Sequence, residues 1–154
     1  MADDPRALGD PGSESFRVDS YPFYLLNRAV SRYNVIIEAQ LRAIEIDIPT
    51  WRVLMVLGEE SPRSIGQLSK TAVIHLSTMM RIIERMMKAG LVERAPDAQD
   101  GRVTNVILTD LGREKLAAAR KLTAPLYRQV ITGFSQNEFT RLLEMLNRLH
   151  ANLG

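Results

Sequence analysis

ERAPDAQDGRVTNVILTDLG, residues 93–112, decides how the rest of the chain is arranged. Its polar centre, Asp100-Gly101-Arg102, runs directly into Val103-Thr104-Asn105-Val106-Ile107-Leu108. An Asp-Gly pair between two β-prone runs signals a hairpin, because glycine takes the positive φ that a tight reversal demands. The stretch therefore predicts a two-stranded ribbon with Arg102 near its tip. Thr109, just behind it, is placed to cap a following helix.

Upstream of the ribbon, His75 to Lys88 reads as a helix. On a 3.6-residue period Met79, Ile82, Ile83 and Met86 point one way and Ser77, Arg81, Glu84 and Lys88 the other. Gly90 stops it as a C′ residue. Ser64-Ile65-Gly66-Gln67 has the form of a capping box that starts another short helix, and Ala72-Val73-Ile74 is only long enough to connect the two. Two short helices joined by a tight turn, the second basic on its outer face, make a helix-turn-helix. Ser61-Pro62-Arg63 reads as a turn before it. Trp51 to Leu57 is apolar nearly all round, which predicts a short buried helix capped by Thr50 and ending near Gly58.

The flanks are different in kind. Phe23, Leu26, Val30, Tyr33, Ile37, Leu41 and Ile44 recur at three- and four-residue steps along one long helix. After the hairpin, a helix is expected from Asp110 to about Thr132, bent at Pro125 and stopped by Gly133. Ser135-Gln136-Asn137-Glu138 is a second capping box and opens a last helix with Phe139, Leu142, Leu143, Leu146, Leu149 and Leu153 on one stripe. These helices carry more apolar surface than such a small domain needs, and a symmetric dimer would bury it. The expected fold is mainly α with a small β-hairpin wing, an α+β chain. Residues 1–19 form a flexible N-terminal arm, 20–46 and 110–154 are dimerisation helices, and 47–109 is a winged helix-turn-helix.

Composition bounds the function. The chain has 154 residues, 45% of them apolar, enough to build one packed core. It has no cysteine, which excludes disulfides, thiolate zinc sites and thiol-based redox sensing. No apolar run approaches the ~18 residues of a membrane span, and the start is acidic and polar where a signal peptide is basic and then apolar, so a cytoplasmic protein without membrane partners is expected. Formal charge is only +2, but it is unevenly spread. Residues 1–20 hold five acids and two arginines, whereas residues 61–94 hold six bases against Glu84 and Glu93. A basic middle suits a polyanion.

On the outer face of helix 75–88, Ser77 and Thr78 are placed for phosphate or base-edge hydrogen bonds. Arg81 suits bidentate reading of a guanine, and Met80 suits contact with a thymine methyl. Arg85 and Lys88, further along, suit phosphates. Taken alone, this face is equally well a solvated one, with Glu84 and Lys88 paired at i,i+4. The hairpin tilts the reading toward DNA: Arg102 on a thin ribbon reaches a minor groove, and Asp100 two positions earlier is placed to hold its side chain.

Gln67-Leu68-Ser69, Ser77-Thr78, Arg81, Lys88-Ala89-Gly90-Leu91-Val92-Glu93-Arg94, Asp100-Gly101-Arg102 and Leu108-Thr109-Asp110-Leu111-Gly112 together resemble the MarR family of bacterial regulators, from about residue 20 to the C-terminus. The resemblance implies a homodimeric winged-helix protein on double-stranded DNA. The long first helix and the last two would dimerise, helix 75–88 would enter the major groove, and Arg102 the minor groove. By position, Ser77, Thr78, Arg81, Asp100 and Arg102 would be the DNA-contacting set. The chain departs from the family pattern at Val73, His75, Leu76 and Met80, which bears on the operator sequence, and His75 is expected simply to cap its helix.

The resemblance also implies a small effector between the dimer arm and the DNA-binding lobe. The candidate lining is Tyr21, Phe23, Tyr24, Asn27, Arg28, Trp51, Arg52, Met55 and His75, a set that suits a flat aromatic anion held by a guanidinium, with rings or Met on its faces. Core packing is the competing role for Tyr24, Trp51 and Met55. An aromatic acid or aldehyde, or its coenzyme A thioester, is the expected effector class. His75 and His150 are the only imidazoles and lie on different elements, which disfavours a metal, and no cofactor is expected. No phosphate loop, nucleophile set or paired carboxylates mark an enzyme. The remaining alternative is a helical dimeric protein-interaction module without DNA binding.

Overall fold

The computed structural model describes residues 4–154. In chain order its elements are α1 (Pro5–Leu8), a 3-10 turn (Val18–Ser20), α2 (Pro22–Arg42), α3 (Ile48–Glu59), β1 (Arg63–Ser64), α4 (Ile65–Ala72), α5 (Leu76–Lys88), β2 (Val92–Pro96), β3 (Thr104–Leu108), α6 (Asp110–Val130) and α7 (Gln136–Ala151). The mainly helical fold with a small antiparallel sheet is the one expected. The sheet has three strands where two were expected, in the order β1-β3-β2, with Arg63 opposite Val106 and Val92 opposite Leu108. The turn foreseen at Arg63 is thus a strand, and a two-residue strand leaves no period in a sequence.

The core lies beneath the helix-turn-helix. Val53, Leu54 and Leu57 of α3, Leu68 of α4, and Met79, Ile83 and Met86 of α5 close on Val92 and Val106 of the sheet. Ile37 and Leu41 of α2 and Leu116 and Ala119 of α6 cover the other side. Both capping boxes form: Ser64 with Gln67 opens α4, and Ser135 with Glu138 opens α7. Asp47 caps α3, not Thr50, its carboxylate accepting the Thr50 N–H at 2.9 Å, while Thr50 itself is buried. With proline in its first turn, α3 begins earlier than its apolar run.

Two glycines mark close approaches between elements. α3 ends at Glu59, near Gly58 as expected, and Gly58 has a further role: a Cβ there would overlap Leu116 and crowd the Arg120 guanidinium, so its absence lets α6 pass close. Gly112 in the first turn of α6 lies against the Leu91 carbonyl, where a Cβ has no room. Gly112→Ala is therefore expected to cost about 2 kcal/mol, because the obstacle is backbone that cannot turn aside. Denaturant unfolding checks this, and an unchanged midpoint would contradict the close approach.

The turn between α4 and α5 is tied by the Ser69 hydroxyl donating to the Ile74 carbonyl and the Ile74 N–H donating to Ser69 O at 3.0 Å. Val73 sits there at φ 54°, ψ 51°, a left-handed conformation that costs a β-branched residue on the order of 1–3 kcal/mol. His75 stands at the N-cap position of α5 but makes no side-chain capping bond, which corrects the capping role expected of it.

Outside this lobe, large apolar side chains stay uncovered. Nothing on α7 is buried, and of the α2 stripe only Ile37 and Leu41 are. Residues 4–20 carry more local order than their composition foretells. The Arg17 N–H donates to Leu8 O at 2.8 Å, and Phe16 meets Tyr21 edge to face with ring centres 6.0 Å apart. Residues 1–3 of the expected arm lie outside the described residues. No described helix is long and apolar enough to cross a membrane.

Candidate functional site

The outer face of α5 forms as its period requires. Met79, Ile82, Ile83 and Met86 are buried, leaving Ser77, Thr78, Met80, Arg81, Glu84 and Lys88 exposed. Among the described residues Arg81, Lys88 and Arg102 form no ion pair, so three cations face solvent without an internal anion. Arg85 is different. Its guanidinium reaches the Asp47 carboxylate at 2.7 Å and Thr50 Oγ1 at 3.4 Å, tying the last turn of α5 to the first turn of α3. Burial alone would push the Asp47 carboxyl up, but the Thr50 hydrogen bonds and the Arg85 charge outweigh it and hold it below its ordinary value. Arg85, expected on phosphates, already holds an anion within the chain.

The tip of the wing is a loop, residues 97–103, and not a two-residue reversal. Gly101 is not among the glycines with positive φ, and open space surrounds it, so the conformation expected of it is corrected. Asp97 organises the loop instead. Its carboxylate accepts the N–H of Gln99 at 2.8 Å and of Asp100 at 3.1 Å, and the Asn105 amide at 3.0 Å. Those donors, Gln99 foremost, hold its carboxyl below the usual range. Asp100 Oδ1 accepts the backbone N–H of Arg102 at 3.0 Å, so it fixes the main chain at Arg102 and not, as expected, the guanidinium. Arg102 is left exposed at the loop's end. Asp97 was missed in the sequence, although an aspartate opening a polar loop after proline is the usual sign of such a turn.

The nine residues proposed for an effector divide among three places. Trp51 and Met55 line a cleft of about 430 Å³ together with Tyr33 of α2 and Arg120, Thr123, Ala124 and Tyr127 of α6. Arg52 neighbours Tyr33 from the same helix as Trp51 but is not part of the lining. Tyr21, Phe23, Tyr24, Asn27 and Arg28 sit at the start of α2, away from this cleft. There Tyr21 packs edge to face on Phe23, and the Arg28 guanidinium lies 5.5 Å from the Tyr24 ring centre. His75 borders a separate hollow with Lys70, Val73 and Leu76 at the turn before α5.

Within the cleft, burial raises the Tyr33 hydroxyl above its ordinary value, offset in part by Trp51 and Arg52 beside it. Trp51 Nε1 is buried beside the Tyr33 hydroxyl, close enough to lower it, although the two do not complete a hydrogen bond of regular geometry. Arg120 has no ion-pair partner among the described residues. An apolar hollow with three aromatic side chains and an unpaired guanidinium can take a flat molecule with an anionic end. Tyr33, Arg120 and Tyr127 escaped sequence reading because nothing local separates Arg120 from the other α6 cations. Only the passage of α6 over Gly58 brings it to Trp51. No group of three or more His, Cys, Asp or Glu among the described residues is arranged to hold a metal.

Residues 45–103 match the model of the MarR family. The HTH-type transcriptional repressor IacR of Pseudomonas putida is 38% identical over 144 residues, spanning 94% of this chain and 86% of its own. A MarR-family transcriptional regulator from Silicibacter pomeroyi superposes with a TM-score of 0.80 at 28% identity, covering 90% of this chain and 93% of that one. BpsR of Bordetella bronchiseptica, described by a mechanism for regulation of DNA binding by 6-hydroxynicotinic acid, gives a TM-score of 0.76 over 92% and 98% of the two chains. At 21% identity that last likeness speaks for the fold alone.

Proposed function

Because this chain belongs to the MarR family of DNA-binding transcription regulators, we propose that it is a homodimeric repressor of a pseudo-palindromic operator, released by a small aromatic anion. The observation that carries the reading is the pairing of an α5 face bearing unpaired Arg81 and Lys88 with a wing that holds Arg102 out on an ordered loop. Such a pair fits a major groove and the adjoining minor groove. Ser77, Thr78 and Met80 complete the α5 surface, and Arg85 acts from behind by fixing α5 to α3. A repressor is favoured over an activator by the likeness to IacR. As the relatives are regulators and the cleft holds no nucleophile with its base, catalysis has no support.

The effector belongs in the cleft between α2, α3 and α6, with Arg120 on its carboxylate and Trp51, Tyr33 and Tyr127 about its ring. This reading keeps Trp51 and Met55 of the expected set and sets aside Tyr21, Phe23, Tyr24, Asn27, Arg28, Arg52 and His75. The cleft spans a helix of the DNA-binding lobe, α3, and helices of the dimerisation arm, α2 and α6. A ligand there favours one setting of lobe against arm, and it weakens DNA binding by its preference for the setting that DNA does not accept.

Fluorescence anisotropy with duplexes from the neighbouring promoters tests the first half: nanomolar, salt-sensitive binding is expected, and no binding at low salt would refute it. Trp51, the only tryptophan in the chain, reports on the second half. Hydroxylated aromatic acids are expected to quench it on binding, and Arg120→Ala to weaken that binding about tenfold to hundredfold through loss of a charge-assisted hydrogen bond. An unchanged dissociation constant in that variant would remove Arg120 from the account.

A further inference from the structure

Three large apolar side chains stand in the open at the entrance of α5. Val73 is 86% exposed, Leu76 54% and Met80 45%. Leu76 and Met80 are one helical turn apart and so lie on one face. Val73 and Leu76 border the same surface hollow, beside Lys70. None of the three serves the core, and Val73 is held in a left-handed conformation suited to glycine while its side chain packs on almost nothing. A glycine would fill the same backbone position with less strain, so the isopropyl group is of no use to the folded chain alone. Ser77 and Arg81 adjoin Leu76 and Met80 along α5, and Lys70, Arg81 and Lys88 stand about the patch against the single acid Glu84, a balance of charge that suits a polyanion.

We infer that Val73, Leu76 and Met80 form a methyl-reading surface that selects thymine in each operator half-site. The inference rests on the DNA-binding reading above and adds to it the class of base recognised. Thymine is the only base whose major-groove edge carries a methyl group, and an apolar side chain distinguishes it by removing that methyl from water. Arg81 beside the patch supplies the polar contact to a neighbouring guanine, so each half-site combines a thymine with a guanine close by.

The test uses the full chain and duplexes that it enriches from a randomised library. The enriched duplex is then remade with deoxyuridine for thymidine, one position at a time, which removes a methyl group and leaves base pairing intact. At one or two positions in each half-site the change is expected to weaken binding about fourfold, the equivalent of ~0.8 kcal/mol for one buried methylene-sized group. Altering both half-sites together is expected to weaken it more than tenfold. Leu76→Ala, on an exposed side chain, is expected to bind thymidine and deoxyuridine duplexes alike, and Val73→Gly to lose discrimination while melting no lower than the natural chain. A single enriched sequence bound equally well with thymine or uracil at every position overturns the inference and leaves the regulator standing. Failure to enrich any sequence overturns both.

Discussion

Aspartate at both Leu143 and Leu146 is expected to leave a folded monomer and to lower operator affinity about a thousandfold. These side chains lie on α7, 47% and 37% exposed, and no residue of that helix is buried within the chain. The fold of one copy therefore loses almost nothing when they become polar. Two copies that bury this stripe against one another would confine four charged groups without partners, two from each copy, a cost no interface of ordinary size absorbs. The affinity falls because the second half-site is no longer bound intramolecularly, and linkage of two modules is worth about 10²–10⁴. Sedimentation, circular dichroism and anisotropy read the three quantities separately. A dimer that survives the two aspartates would place the interface elsewhere.

Arg81→Ala and Arg102→Ala are expected to weaken binding by different routes. Arg81 projects from the exposed face of α5, where a bidentate contact to guanine discriminates by about 1–3 kcal/mol, so its loss costs about five- to hundredfold and relaxes base preference at one position of each half-site. Arg102 sits on a loop fixed by Asp97 and Asp100, and its loss should weaken all sequences alike and lower the salt dependence by about one ion per half-site. Both variants are expected to keep the oligomeric state of the natural chain, which sedimentation checks. Equal affinity for the Arg102→Ala protein would show that the wing stands clear of the DNA, and unchanged base preference in Arg81→Ala would take that residue out of the recognition.

Much of this was legible in the residues. The buried stripe of α5, both capping boxes, Thr109 as the cap of α6 and the left-handed Gly90 follow from local chemistry, and each forms as expected. What escaped is what depends on elements meeting. Gly58 marks the end of α3 to within one residue, but its role as a clearance for α6 is visible only in the fold. Thr50 has the chemistry of a cap, yet Asp47 three residues earlier takes the position. Arg85 shares a face with Arg81 on the period alone, and only the fold shows Asp47 within reach of it. The cleft was half foreseen for the same reason: Trp51 and Met55 stand on one short helix, whereas Arg120 comes from 65 or more residues downstream.

Two departures from local rule lie where function is proposed, while two others, the positive φ of Glu45 and the unpartnered Gln40 Oε1, lie at the end of α2. Val73 keeps a strained backbone at the entrance of α5, and Trp51 keeps a buried N–H that completes no regular hydrogen bond beside the cleft. Both cost stability in the chain by itself. On the proposed reading each would find a use once a second molecule is present, DNA at the first and a ligand at the second.

The claim on which the rest depends is that two copies set their α5 helices one turn of B-form DNA apart. The chain has no cysteine, so Glu84→Cys on the exposed face of α5 accepts a single spin label per copy. Dipolar spectroscopy on the labelled protein should then give one distance distribution centred near ~34 Å, allowing for the reach of the label, sharpened by operator DNA and displaced by a bound aromatic acid. Absence of dipolar coupling, or a separation that operator DNA cannot bring to that distance, would contradict the account.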